Sequence, residues 1–370
     1  MRNTDHWFLD VHAIQTLPPS NVNRDDAGSP KTAQYGGVLR ARVSSQAWKS
    51  VMRRYFLEHV DKEKLGVRTL QVIDVIANKM RELKPDLEEA IASDKAAEVV
   101  KAVGIPTGKS KAKTSKGKSE IAKALFFMGN QQATRLAQAA LSGTAEAEDY
   151  KQILKENPSI DIALFGRMLA GKDYLKEDAS AQVAHAISTH AVQTEFDYYA
   201  AIDDLTREQN AGAAMLDTVE FNAATYYRYA NVAVHELLKQ MESTKETIDV
   251  LKIFVEAFSN SLPIGMVNPF AHQTVPQALL LILRSDRPVN LVSAFEQPVR
   301  SENGYDSLSI KKMLEEKDRV EKFVAPPIWS LLLTTQEEIE NNPKIQMMDS
   351  LPVMLETMGQ ELNAALKLNE

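Results

Sequence analysis

Residues 38–56 read VLRARVSSQAWKSVMRRYF. The first six alternate apolar and basic side chains, the period-2 signature of a half-exposed strand. Ser44 and Ser45 then offer an N-cap. Beyond them Trp48, Val51, Met52, Tyr55 and Phe56 fall at i, i+3, i+4, i+7 and i+8, a single apolar stripe. Gln46, Lys49 and Arg53 lie on a different face of the same helix. The hydrophobic period thus switches from strand to helix within a few residues. Upstream, residues 7–17 (WFLDVHAIQTL) read as another strand, and a polar loop rich in Pro, Asn, Asp and Ser fills 18–35 before Gly36-Gly37.

Downstream, residues 61–179 are dominated by Ala, Leu, Lys and Glu, which favour helix. Helices are expected over 70–81, 86–103, 120–141 and 145–156. Residues 107–119 (TGKSKAKTSKGKS) carry five lysines and no large apolar residue, and are expected to form a flexible loop. Asn157-Pro158 punctuates the chain before DIALFGRMLAGKD at 161–173. Aromatic and β-branched residues return in 184–204 (AHAISTHAVQTEFDYYAAIDD) and 215–234 (MLDTVEFNAATYYRYANVAV). The polar residues between them suggest the turn of a long hairpin. A helix over 244–259 and a strand over 277–283 (QALLLIL) follow, and from 294 onward the chain is read as helical and acidic.

The order strand, helix, strand pair, helix, strand predicts an α+β fold. It is the order of a ferredoxin-like or RNA-recognition-motif (RRM) sheet, with a large helical insertion after its first helix and a long β-hairpin. The expected domains are an RRM-like body from 1–60 and 180–300, a helical insertion over 61–179, a hairpin over 190–222 within the body, and a helical acidic region over 301–370.

Charge is segregated. The chain of 370 residues has net charge −7. Residues 27–57 nevertheless contain no acid, while Lys31, Arg40, Arg42, Lys49, Arg53 and Arg54 are basic. Residues 314–370 hold eleven acids against five bases. A basic head of this kind can bind a polyanion locally in an acidic protein. Cysteine is absent, which excludes disulfides and thiolate metal sites and fits a reducing cytoplasm. No apolar run approaches the roughly 18 residues of a membrane span, and residues 1–8 do not read as a signal peptide.

Two features carry binding chemistry. The basic helix can rest its apolar stripe on a core and present Gln46, Lys49 and Arg53 to phosphates, with Arg40 and Arg42 widening the patch. In the hairpin, Phe196, Tyr198, Tyr199, Phe221, Tyr226, Tyr227 and Tyr229 could stack on unpaired bases, although sheet cores use the same residues. Arg228, set among the tyrosines, is either a phosphate contact or a structural partner. His185 and His190 are five apart and lack a third ligand, so no metal site is assigned. The pairs Asp25-Asp26 and Asp203-Asp204 could hold a cation but are typical of turns. Gly265, in PIGMVNPFAH (263–272), could expose N–H groups to an anion or simply connect two elements. No phosphate-binding glycine loop, nucleophile motif or dinucleotide fingerprint is present.

The chain also resembles a known family, the CasC-type backbone subunits of type I-E CRISPR Cascade complexes. The likeness is carried in order by NRDD (23–26), YGG (35–37), RARVSSQAWK (40–49), DIALFGRM (161–168), AHAISTH (184–190), AIDD (201–204), VEFN (219–222), YRYANV (227–232) and SAFEQPV (293–299). The resemblance implies an RRM-like palm, helical fingers and a β-hairpin thumb. It implies several copies stacked along a CRISPR RNA, kinking it at intervals and leaving segments open to pair with target DNA. The implied partners are the guide, other copies of the chain and other Cascade subunits. The residues implied in RNA binding match Arg24, Ser44, Gln46, Lys49 and Arg53, with Met168 as a wedge and Tyr198 and Tyr199 on the thumb. Met266 follows Gly265 where the family often has a basic residue, which lowers the weight of that loop.

The expectation is therefore a cytoplasmic RNA scaffold without cofactor, metal or catalytic residues. The rival is a metal-dependent endoribonuclease using Asp25 or Asp26, because backbone subunits of other CRISPR types cut RNA with a loop aspartate. A lone RNA-recognition module is the plainer alternative.

Overall fold

The computed structural model describes residues 6–109, 120–168, 173–201, 215–337, 339 and 342–367. The chain divides into two compact units. The first comprises Met1–Tyr55, Val183–Ala233 and Leu251–Glu370, and the second Phe56–Gln182 and Val234–Val250.

A large, predominantly antiparallel sheet organises the first unit. The strand Phe8–Ser20 runs between Met215–Ala233 and Ala278–Arg284, antiparallel to both. Beyond Ala278–Arg284 lie Trp329–Thr334 and the short parallel strand Gln346–Met347. On the other side Met215–Ala233 pairs with Ala186–Ser188, followed by Val38–Val43 and the edge strand Thr32–Tyr35. The two neighbours of the first strand fix its register, with Val11 opposite Ala230 and Leu281. The strand Ala278–Arg284 is buried at every position, and up to Leu283 its sequence is a continuous apolar run rather than an alternating one.

Each face of the sheet has its own core. On one, Ile14, Tyr227, Leu280 and Ile282 pack with Phe295, Ile310 and Met313. Ile310 and Met313 come from the helix Asp306–Val320. This face also buries a polar network. Asp10 accepts a hydrogen bond from the Tyr229 hydroxyl at 2.7 Å and pairs with Arg284 Nε at 3.2 Å. Burial pushes the Asp10 carboxyl up to about 7 and holds the His12 imidazole down at about 3. On the other face Trp48, Phe254 and Phe258 are buried. They come from the helices Ser45–His59 and Thr244–Asn260.

In the second unit the helices Val72–Leu83, Glu89–Ala102, Asn130–Ser142 and Ala147–Lys155 surround an aliphatic core that includes Ile76, Met80, Val99, Val100, Leu136 and Leu154. The ladder of Gly66–Thr69 with Phe126–Gly129 contributes Phe126 and Met128 to it.

Several expectations are corrected. The helix expected over 120–141 starts at Asn130, and Glu120–Ala122 and Phe126–Gly129 are strands. Phe126-Phe127-Met128 is buried at each position, and a short apolar run has no period to separate helix from strand. The same ambiguity hid Trp329–Thr334 (WSLLLT), so the region from 294 onward is not wholly helical. The long strand expected over 184–204 is broken into Ala186–Ser188 and Glu195–Ala201. Between them His190 turns inward: its Nδ1–H donates to the Ala191 carbonyl at 2.9 Å, its Nε2 accepts from Thr225 N at 3.1 Å, and its ring stacks on Tyr305. Of the lysine-rich stretch, Thr107–Lys109 is a strand paired with Glu120–Ala122, and residues 110–119 lie outside the described residues. The helix Val234–Met241 was not anticipated.

Candidate nucleic-acid interface

The turn from strand Val38–Val43 into helix Ser45–His59 is built by Ser44. Its hydroxyl accepts from Ala47 N at 3.3 Å, the N3 position of a capped helix, and its carbonyl accepts from Trp48 N at 3.2 Å. Its own N–H donates to Asn23 Oδ1 at 2.8 Å, so the NRDD loop is tied to the start of the helix. A further bond within that loop, Lys31 N to Asn23 O at 2.9 Å, closes it back on the strand pair. Ser44 is itself buried, with its hydroxyl and N–H both engaged in fixing the helix start.

The helix then divides as its sequence predicts. Trp48, Val51, Met52 and Phe56 are buried. Gln46 is exposed, and Lys49 and Arg53 are half-buried. Burial draws the Lys49 ammonium below the ordinary lysine range. At the helix start, Arg42 Nη1 and Ser45 N lie 3.3 and 3.4 Å from His185 Nδ1. Burial and the nearby Arg42 and Lys31 charges hold His185 below the ordinary histidine range. Arg42 also donates to the Thr32 carbonyl at 3.1 Å, which steadies it on the edge of the sheet.

Arg24 stands exposed in the NRDD loop, its Nη1 3.8 Å from Met266 Sδ. The glycine loop is thus brought beside it, for a steric reason. A Cβ at Gly265 would lie 2.4 Å from the Val22 carbonyl oxygen and 2.9 Å from that of Asn21. Gly265 is required for close approach of two backbones. Asp25 completes its own turn, its Oδ1 accepting from Ala27 N at 2.9 Å and Ser29 N at 3.0 Å. Among the described residues no group of three or more His, Cys, Asp or Glu could hold a metal ion.

Two basic residues read as candidate phosphate contacts are buried. Arg40 is fully buried, and its guanidinium donates to the carbonyls of Tyr35, Ser188 and Phe295 at 3.1, 3.0 and 2.7 Å. It joins two strands to a following turn and has no face for a ligand. Arg228 is also buried, sandwiched between Trp48 and Phe258 with its charge centre 3.7 and 4.3 Å from their rings. It donates to Gln15 Oε1 and the Phe258 carbonyl. In both strands a basic residue among β-formers reads as exposed, yet the pleat turns it inward.

The hairpin separates its aromatics in the same way. Tyr226, Tyr227 and Tyr229 are core residues. Phe196 and Tyr198, two apart on Glu195–Ala201, are 67% and 64% exposed, and Tyr199 on the opposite face is 41% exposed. The strand pairs antiparallel with Met215–Phe221, Tyr198 opposite Thr218. The acids at 203–204 and the polar tip at 207–212 lie outside the described residues.

In the second unit the DIALFGRM block is a pedestal. Asp161 accepts from Gly66 N and the Ser159 hydroxyl. Buried Arg167 donates to the carbonyls of Leu175 and Phe127 and to Gln132 Oε1. Gly166 takes φ +77°, a conformation that favours glycine. The residue these supports carry outward is Met168, 83% exposed.

No helix among the described residues is long and apolar enough to cross a membrane. No curated protein matches the chain closely enough to be counted as similar. Two solved chains are similar to it. One, from a "CRISPR RNA-guided surveillance complex, pre-nicking", is 30% identical over 97% of this chain and 100% of its own, with a TM-score of 0.84. Another, from a "CRISPR RNA-guided surveillance complex", is 28% identical over 95% of this chain and 99% of its own, with a TM-score of 0.75. The model of the CT1975-like protein family matches residues 9–358. The nine sequence blocks, the mixed α/β architecture and these likenesses agree, and the chain belongs to the CT1975-like protein family, a Cascade backbone-type protein.

Proposed function

We propose that the chain is a non-catalytic backbone subunit of a type I-E Cascade complex. Several copies bind a CRISPR RNA along its phosphates and coat it as a helical filament. They kink it periodically and present it for pairing with target DNA. The large sheet is its RRM-like palm, the second unit its fingers, and the hairpin Glu195–Ala201 with Met215–Phe221 its thumb. Other Cascade subunits are further partners, and the assembly is cytoplasmic.

The observation that carries this reading is the capped helix Ser45–His59. It combines a buried stripe with Gln46, Lys49 and Arg53 on a polar face, in a stretch without an acid from 27 to 57. Sequence-independent phosphate contacts suit a subunit that must hold any guide. Exposed Phe196, Tyr198 and Met168 offer apolar surface for bases, worth about 1–3 kcal/mol per stacked aromatic. The engagement of Asp25 with its own turn supports reading NRDD as a structural loop rather than a nuclease site.

Co-expression with a guide RNA and the other subunits, followed by sizing, tests the reading. Assemblies whose mass rises stepwise with RNA length are expected. A species with one copy per RNA, whatever its length, would contradict the backbone role and leave a lone RNA-recognition module.

A further inference from the structure

Arg228 stands out among the groups that the proposed site does not use. It is 1% exposed on the central strand, opposite Ala13. Three elements contribute its surroundings: Gln15 from the first strand, Trp48 from the underside of the basic helix, and Phe258 from helix Thr244–Asn260. None of the three titrates. On that last helix Glu256 accepts from the Tyr55 hydroxyl at 3.0 Å. Among the described residues Arg228 forms no ion pair, and its Nε lacks a hydrogen-bond partner. Buried cations are ordinarily paired, because an unpaired charge in a low dielectric is costly. Here the guanidinium is instead held by two ring faces and two neutral acceptors.

Another face of the same helix carries Lys49 and Arg53, both half-buried. From this juxtaposition we infer that Arg228 is a positioning residue for RNA: its charge, held beneath the basic helix, attracts bound phosphate through space while its stack on Trp48 sets the helix on the sheet. The inference rests on the RNA-binding reading given above. The field of a buried charge crosses protein rather than salt solution, so it is screened less than that of a surface lysine. Two unit charges roughly 10 Å apart at a dielectric of roughly 35 would change affinity about fivefold. The absence of a carboxylate then has a function: a partner acid would cancel the field at the phosphates.

A titratable replacement separates charge from packing. Burial already lowers Arg228 to about 9, still charged at neutral pH. The same burial would bring a lysine from about 10.4 into the range near pH 7. Binding of a labelled single-stranded 30-mer RNA to the full chain is measured from pH 6 to 8 at low salt. Arg228→Lys is expected to lose affinity about fivefold relative to wild type as pH rises and the lysine discharges. Solvent-facing groups such as His185 titrate in both proteins and cancel. A second variant, Gln15→Glu, sets a carboxylate on the guanidinium and is expected to bind about fivefold more weakly at constant pH, with melting used to verify its fold. Should Arg228→Lys fail to fold, Gln15→Glu decides. Parallel pH profiles together with wild-type affinity in Gln15→Glu would overturn the inference alone. Failure of the wild-type chain to bind RNA would overturn the RNA reading and this inference with it.

Discussion

Replacing Lys49 and Arg53 together by Ala removes two cations from the polar face of helix Ser45–His59 while leaving its buried stripe intact. Trp48 is 2% and Met52 0% exposed, and both stay in place. Alanine is the best helix former, so the local helix loses nothing in propensity. The substitution should therefore act on binding and not on folding. Each phosphate contact on single-stranded RNA contributes about 0.7 to the slope of log affinity against log salt. Two lost contacts lower that slope by about 1.4, so the deficit is near 25-fold larger at 50 mM than at 500 mM salt. The assay is a titration of labelled single-stranded RNA at four or five salt concentrations, with melting curves in parallel. A native-like melt with an unchanged slope would remove the helix from the interface, and with it the main support for the RNA reading.

Further outcomes follow from other parts of the molecule. Gly265→Ala forces a methyl group into the Val22 carbonyl at 2.4 Å and is expected to cost about 1–3 kcal/mol, read as a lowered Tm; a wild-type Tm would show that the two loops separate freely. Burial depresses His12 to about 3, so the folded state resists its protonation. Its contribution to stability is complete above about pH 6.5 and falls away as pH drops toward 3, with a slope of about 1.4 kcal/mol per pH unit. Asp10, held near 7 in the fold, contributes the opposite slope over much of that window, so His12→Gln should leave a denaturant-measured stability that rises as pH falls below about 6.5, and an unaltered profile would refute the assignment. Deleting residues 205–214 and joining the strands by Asn-Gly should leave the sheet folded but abolish regular protection of the guide; a regular footprint from the shortened protein would remove the hairpin as the spacer. Bound RNA should stay intact with Mg²⁺, and cleavage lost in Asp25→Ala or Asp26→Ala would restore the nuclease reading.

Much of this was legible in the sequence where one physical signal dominated. The change of period at Ser44 placed the strand Val38–Val43 and the helix after it because no tertiary contact had to override either pattern. Met168 is reached through resemblance alone, whereas Tyr198 and Tyr199 also stand out by the aromatic content of their strand. The burial of Arg40 and Arg228 is not legible locally because their partners are distant. The carbonyls that satisfy Arg40 come from Ser188 and Phe295, 148 and 255 residues away, and no local pattern announces them. The pairing of Asp10 with Arg284 was invisible for the same reason. Short apolar runs such as Trp329–Thr334 have a length but no period, and only a neighbouring strand decides what they become.

The central claim is that copies of this chain coat a guide RNA at regular intervals without cutting it. Nuclease footprinting of the RNA in the assembled complex, with Mg²⁺ present and the extracted RNA then sized, tests it most directly. The account predicts evenly spaced sensitive positions, a number of protected segments that grows with guide length, and full-length RNA on extraction. Uniform or single-site protection, or regularly spaced cuts in RNA not exposed to added nuclease, would contradict it.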